Sequence, residues 1–441
     1  MRIAVSWILI VASIAAIALS DAISKSRQVS NVSDLSEFRL EMGSRYLLGN
    51  FQITQQSGAV VGSMADDLWR SATTPEDQIR LIPVISETEG KTQALRQLSK
   101  IDETKATDSQ IHDIDVLDAL YTTGNLPADD RQQLIDTYGW SGKLAAAQAD
   151  GPNSEMHQEV NRAALRTFIS TIVALLLFGG AFFGGLTLLI VFTIQFIHHR
   201  TPPQFHPADS SMADAMLEGF AVYLLSMMIL LVGLPLVARV THWHIHGLGW
   251  ETLLLIPVIL ALLWVHQRGG SWPALGEALG WNRGRGIPRE MLAGICGYLA
   301  GIPILIIGAI ITSFLVGRSG ANAEHPLFEH PLVDDLLNGG WPRLFLLFLA
   351  CVFAPITEEL MFRGMLLGHL RRRFSWPISA IVVSLIFAGI HPQGWAAIPV
   401  LGSIALVLAA LREQRGSLVA SMTAHALNNA SVLVMFVLVM G

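Results

Sequence analysis

Nine apolar stretches constrain this 441-residue chain more than any other feature. One occupies residues 3–20, directly after Met1 and Arg2. The others fall at roughly 167–197, 216–238, 249–266, 291–316, 342–368, 376–391, 396–411 and 417–440. Lipid offers no hydrogen bonds to an exposed backbone, so open sheet edges and irregular loops are forbidden within it. Strand signals are nearly absent. The expected fold class is therefore all-α: a polytopic transmembrane helical bundle of about eight core spans after the N-terminal stretch. Only 15% of residues are charged and 52% are apolar, against about 25% charged in a soluble domain.

Residues 3–20 read as a signal peptide or a signal anchor. Eighteen helical residues reach about 27 Å, enough to anchor, and the alanine-rich end before Asp21 would also suit cleavage. Either way, the following segment is expected to be exported.

Charge divides the rest. Residues 21–165 hold 22 Asp and Glu against 13 Lys and Arg, including all five lysines; the remainder holds 13 acidic and 16 basic residues. An acidic soluble domain thus precedes a sparsely charged membrane region from about 166 to 441. Leu81, Ile82 and Ile85, then Leu95, Leu98 and Ile101, recur at helical spacing. Pro127, Asp129 and Asp130 open another amphipathic run at Leu134 to Tyr138. No catalytic motif appears in this domain, so it reads as a spacer or a binding module for a protein partner. The net charge of −6 excludes a general nucleic-acid binder. Cys296 and Cys351 lie in apolar runs and offer neither a disulfide framework nor a zinc finger.

Arginines near the span ends set the orientation. Arg2, Arg200, Arg268, Arg283, Arg285, Arg289, Arg371, Arg372, Arg373, Arg412 and Arg415 gather on one side. Arg162, Arg166, Arg239, Arg318 and Arg343 lie on the other. Eleven against five puts the first set in the cytoplasm and residues 21–165 outside it; the membrane expected is the plasma membrane if the cell is bacterial. Lys25 and Arg27 oppose this locally. Gly180 and Gly184 form a GxxxG expected to pack a neighbouring helix. His242, His244 and His246, around Trp243, read as an interfacial belt or, alternatively, a metal site.

Ionisable groups in hydrocarbon each need a reason. Ala354 to Gly364 reads APITEELMFRG. Glu359 and Arg363 are i, i+4 with the acid N-terminal, the favoured pairing order. Glu358 points about 100° away and lacks that partner, free to act as a base. FAGIH follows at Phe387 to His391, and HALNN at His425 to Asn429, with His425 and Asn429 on one helix face. Counted from the arginine-bearing ends at ~1.5 Å per residue, Glu358, His391, His425 and Asn429 lie about 15–22 Å deep and can meet.

These three segments, in this order, resemble the CAAX-processing and bacteriocin-processing intramembrane protease family. It includes the type II CAAX prenyl endopeptidases and abortive-infection-like proteins. The family pattern is EExxxR, FxxxH and HxxxN, and the resemblance covers about residues 270–441. It implies an intramembrane endopeptidase that cuts a membrane protein or lipidated peptide within the bilayer. Glu358 would take a proton from water, and His391 would help hold that water. His425 and Asn429 would donate to the oxyanion, while Glu359 and Arg363 would fix the helix. The family is also described as metalloproteases, and Glu358, His391 and His425 are the alternative zinc ligands. A glutamate-activated water needs no cofactor and is the favoured reading. The other class is a non-proteolytic membrane protein, a proton-coupled transporter or scaffold using the same cluster. A transporter should show inverted repeats, and 167–316 holds no counterpart of the Glu-Glu segment.

Overall fold

The computed structural model describes residues 2–27, 32–54, 58–200, 202–241, 253–318 and 340–440. Among the described residues every regular element is a helix. The chain is an all-α integral membrane protein. Among the described residues six helices are long and apolar enough to cross a bilayer: Arg2–Ser20, Glu155–Ile197, Ser210–Ala238, Ile287–Arg318, Leu344–Arg371 and Trp395–Arg415. Leu255–Gln267 and Trp376–Gly389 have only 13 and 14 residues, about 20 Å each, too short to cross unaided. The 22-residue helix Val419–Met440 carries the polar HALNN segment. The His242, His244 and His246 cluster lies outside the described residues.

The chain forms two units. One comprises residues 29–177 with 435–441; the other comprises residues 1–28 with 178–434. The 43-residue helix Glu155–Ile197 starts in the first and ends in the second.

The first unit buries the helical stripes read from the sequence. Ile79, Leu81, Ile82, Ile85, Leu98, Ile101, Leu117, Leu120, Leu134 and Tyr138 form one core. Its helix ends are chemically marked. Thr74 caps Pro75–Glu89, and Thr107 with Gln110 makes a full capping box for Asp108–Thr123. The buried Asp113 accepts hydrogen bonds from Gln133 Nε2 at 2.8 Å and the Tyr138 hydroxyl at 2.7 Å.

In the second unit, Ile287–Arg318 packs on Ile398–Arg415 through a stripe of small residues. Gly297 faces Leu411, Gly301 faces Val407, and Gly308 meets the Pro399 carbonyl. Small residues let helices approach where lipid gives no hydrophobic drive to associate. The GxxxG reading is corrected here. Among the described residues a Cβ at Gly180 or Gly184 would meet nothing within 4 Å, whereas at the adjacent Gly185 it would run into the Leu299 backbone. The N-terminal helix Arg2–Arg27 packs on Ser210–Met228. Ile10 is wholly buried, and the Trp7 ring lies 6.3 Å from that of His369.

The arginine-rich helix ends also hold specific acids. Arg415 takes both oxygens of the buried Glu290 at 2.7 Å each, and Arg371 takes both oxygens of Glu413 at 2.9 Å. Arg268 pairs with Glu218, and Arg373 with Asp214. These arginines therefore tie helices together.

Candidate active site

The helix Leu344–Arg371 carries the glutamates and is not uniformly α-helical. A π-helical turn occupies Leu349–Phe353, then Ala354–Glu359 is α-helical, then Leu360–Leu366 is π-helical again. Pro355 explains the first irregularity. A proline inside a helix donates no N–H, and its ring clashes with the carbonyl four residues back. Widening the turn relieves that clash. Thr357 Oγ then donates to the carbonyls of Phe353 and Ala354, at 3.0 and 3.1 Å.

Glu359 and Arg363 are both fully buried and pair through Oε1 and Nη1 at 2.8 Å. Arg363 Nη2 donates to the Ala405 carbonyl at 3.2 Å. Its guanidinium sits 4.6 Å from the Phe387 ring centre, a cation–π contact that suits a desolvated cation. His425 lies between the two glutamates. Its Nδ1 donates to Glu359 Oε1 at 3.1 Å, and its Nε2 stands 3.7 Å from Glu358 Oε2. Glu358 differs from Glu359 in being 24% exposed, yet its Oε2 is buried and accepts no hydrogen bond. The carboxylate facing free space is thus the one without a cationic side-chain clamp.

His391 lies just beyond Trp376–Gly389. Its Nδ1 donates to the Phe387 carbonyl at 2.6 Å. A carbonyl only accepts, so this bond puts the proton on Nδ1 and leaves Nε2 as the acceptor of the neutral ring. His391 is within electrostatic reach of Glu358, His425 and Arg363. Its ring and that of His425 both pack on Phe387, with centroids 4.4 and 5.9 Å away. Asn429 reaches further back along the glutamate helix. Its Nδ2 donates to the Ala350 carbonyl at 2.8 Å, while its Oδ1 accepts from Asn428 at 3.3 Å.

Glu358, Glu359, Arg363 and His425 are therefore in one contact group. His391 joins through Phe387, and Asn429 holds the turn that precedes them. The Nδ1–H of His425 bonds Glu359, as the second nitrogen of a metal-bound imidazole does, and leaves Nε2 facing Glu358. Glu358, His391 and His425 would be the residues to hold a zinc ion, although among the described residues no three His, Cys, Asp or Glu side chains stand close enough together to form a metal-holding group.

Residues 340–431, which contain this whole constellation, match the family model of type II CAAX prenyl endopeptidases, Rce1-like. The likeness is to this segment and not to the chain as a whole. A curated relative, an uncharacterized 24.3 kDa protein of Escherichia coli, is 27% identical over 138 residues. That alignment covers 31% of this chain and 57% of the relative. No solved structure matches.

Several parts of the Rce1-like segment's setting were missed in the sequence. The π-turns left only one signal, Pro355 inside an apolar span. The aromatic packing of Phe220, Tyr223, Phe362 and Phe387 gave none. Phe220 and Tyr223 come from Ser210–Met228, more than a hundred residues earlier. Ala405 contributes through its backbone, which residue type does not reveal.

Proposed function

We propose that this chain is an intramembrane endopeptidase that hydrolyses a peptide bond of a membrane protein or lipidated peptide by a glutamate-activated water. The observation that carries this reading is the division of labour between adjacent carboxylates. Each carboxylate keeps one buried oxygen without a donor, but Glu359 is fully buried with its Oε1 bonded to Arg363 and His425, while Glu358 is 24% exposed, has no arginine clamp and stands 3.7 Å from His425 Nε2.

In this reading a water lies between Glu358 and His391. Glu358 Oε2 takes its proton as the oxygen attacks the scissile carbonyl, and Nε2 of His391 accepts the second water hydrogen and orients it. Negative charge then develops on the carbonyl oxygen. The second amide hydrogen of Asn429 stabilises it, the first being spent on Ala350, and His425 joins as a doubly protonated ring, with Nδ1–H kept on Glu359 and Nε2–H donated to the oxyanion. Protonated Glu358 returns its proton to the leaving amine. Glu359 and Arg363 hold the helix and touch no reacting atom.

Residues 21–165 are proposed to be extracytoplasmic and to recruit or gate substrate. Residues 1–20 are proposed to remain as an anchor, a reading supported by the burial of Ile10 in the bundle core.

Comparative membrane proteomics of wild type and Glu358→Gln tests the enzyme. One precursor should accumulate in the variant, and the purified variant should lose about 10² to 10⁴-fold in turnover. Near-normal turnover would remove Glu358 from the chemistry.

A further inference from the structure

We propose that Asn429 is a positioning residue that replaces the backbone donor missing at Pro355, and so holds the register of Glu358 and Glu359. The proposal rests on the function above only for its consequence in catalysis.

The hydrogen-bond accounting is local. In the π-turn Leu349–Phe353, the Ala354 N–H bonds the Leu349 carbonyl, five residues back. It is therefore not the α-helical donor for Ala350. The π-helical donor for Ala350 would be residue 355, and Pro355 has no N–H. The Ala350 carbonyl is thus left without a partner inside its own helix. A buried acceptor without a partner costs about 1–3 kcal/mol. Asn429 Nδ2 supplies the bond at 2.8 Å from the neighbouring helix Val419–Met440. Asn428 donates to Asn429 Oδ1, which fixes which end of the amide faces Ala350.

The register argument follows from helix geometry. A π-turn adds one residue, and each residue turns a helix by about 100°. Without the added residue, everything after the turn would swing by about that angle relative to Gly340–Phe348. Glu358 and Glu359 would then leave His425. Since His425 and Asn429 are one turn apart on the same helix, a single helix face does both tasks. His425 contacts the two carboxylates, and Asn429 secures the turn that aims them.

The test is a double-mutant cycle of Asn429→Ala and Pro355→Ala in the full chain, solubilised in detergent. Thermal midpoints need no substrate. Asn429→Ala should lower the midpoint by several degrees with Pro355 present. It should cost much less with Pro355→Ala, because residue 355 then offers an N–H to Ala350. Equal costs in both backgrounds would overturn the proposal. Turnover of a farnesylated CAAX peptide, measured well below both midpoints, is the second arm. The loss of an oxyanion hydrogen is common to both backgrounds, so Asn429→Ala should lower kcat several-fold more with Pro355 present than with Pro355→Ala; equal kcat losses in the two backgrounds would also overturn the positioning role. An active Glu358→Gln enzyme would sink the proposed function yet leave the Pro355–Asn429 coupling standing, so the two failures are distinguishable.

Discussion

Two carboxylates adjacent in sequence have opposite environments. Glu359 accepts from Arg363 and His425 with no exposure, while Glu358 opens toward free space. Removing Arg363 strands a buried charge, and breaking such a pair costs about 3–5 kcal/mol. Arg363→Ala should therefore lower both yield and thermal midpoint. Glu359→Gln combined with Arg363→Gln should recover part of the yield, since neither partner then carries charge. A double variant as poorly folded as Arg363→Ala would contradict the pairing. Metal dependence belongs to this scale as well. If Glu358 activates water unaided, exhaustive chelation leaves turnover intact and metal analysis finds well under one zinc per chain. Loss of activity restored by zinc would instead give Glu358, His391 and His425 ligand roles.

Among the elements, helix Ala128–Asp150 makes the clearest test of the acidic unit. The Tyr138 hydroxyl is one of two side-chain donors to the buried Asp113. Tyr138→Phe should destabilise the unit by about 1–3 kcal/mol, read as faster hydrogen exchange in Asp108–Thr123. A pH effect lies at the same helix's end. Arg131, hydrogen-bonded to both Asp150 oxygens, holds that carboxyl below the usual range. A depressed folded pKa contributes stability above the unfolded value, about 3.9, and that contribution fades as pH falls through the folded value. The pair is about one-third exposed, which limits it to roughly 1 kcal/mol or less. Asp150→Asn should thus speed exchange slightly at neutral pH and have no effect once Asp150 is protonated. An equal effect at both pH values would remove the ion pair as its cause.

At the scale of the whole molecule, charge and packing divide the chain in nearly the same place. The acidic, lysine-bearing stretch is 21–165, and the compact unit around it is 29–177 with 435–441. Domain boundaries fall where few contacts cross. Deleting about residues 30–155 should therefore leave an inserted, folded bundle that still cleaves a short model peptide. Cleavage of a native membrane substrate should fall if the acidic unit recruits it. An inserted truncation that has lost all peptide hydrolysis would show that the acidic unit completes the active site.

The all-helical class, the membrane region and the three polar segments were legible in the sequence. Hydrocarbon penalises every unsatisfied polar group, so apolar length and intramembrane charge are direct physical signals. The Glu359–Arg363 pair was equally legible, because i, i+4 contacts are built into one helix. Folding alone decided that His425 would stand between the two glutamates, 66 residues away. It also decided that Asn429 would meet Ala350 and that Gly185, not Gly180 or Gly184, would face a neighbouring helix. Those outcomes depend on helix register and on how π-turns rotate one face against the next. Residue type encodes neither, because a shift of one residue changes every partner while leaving the hydropathy pattern almost unchanged.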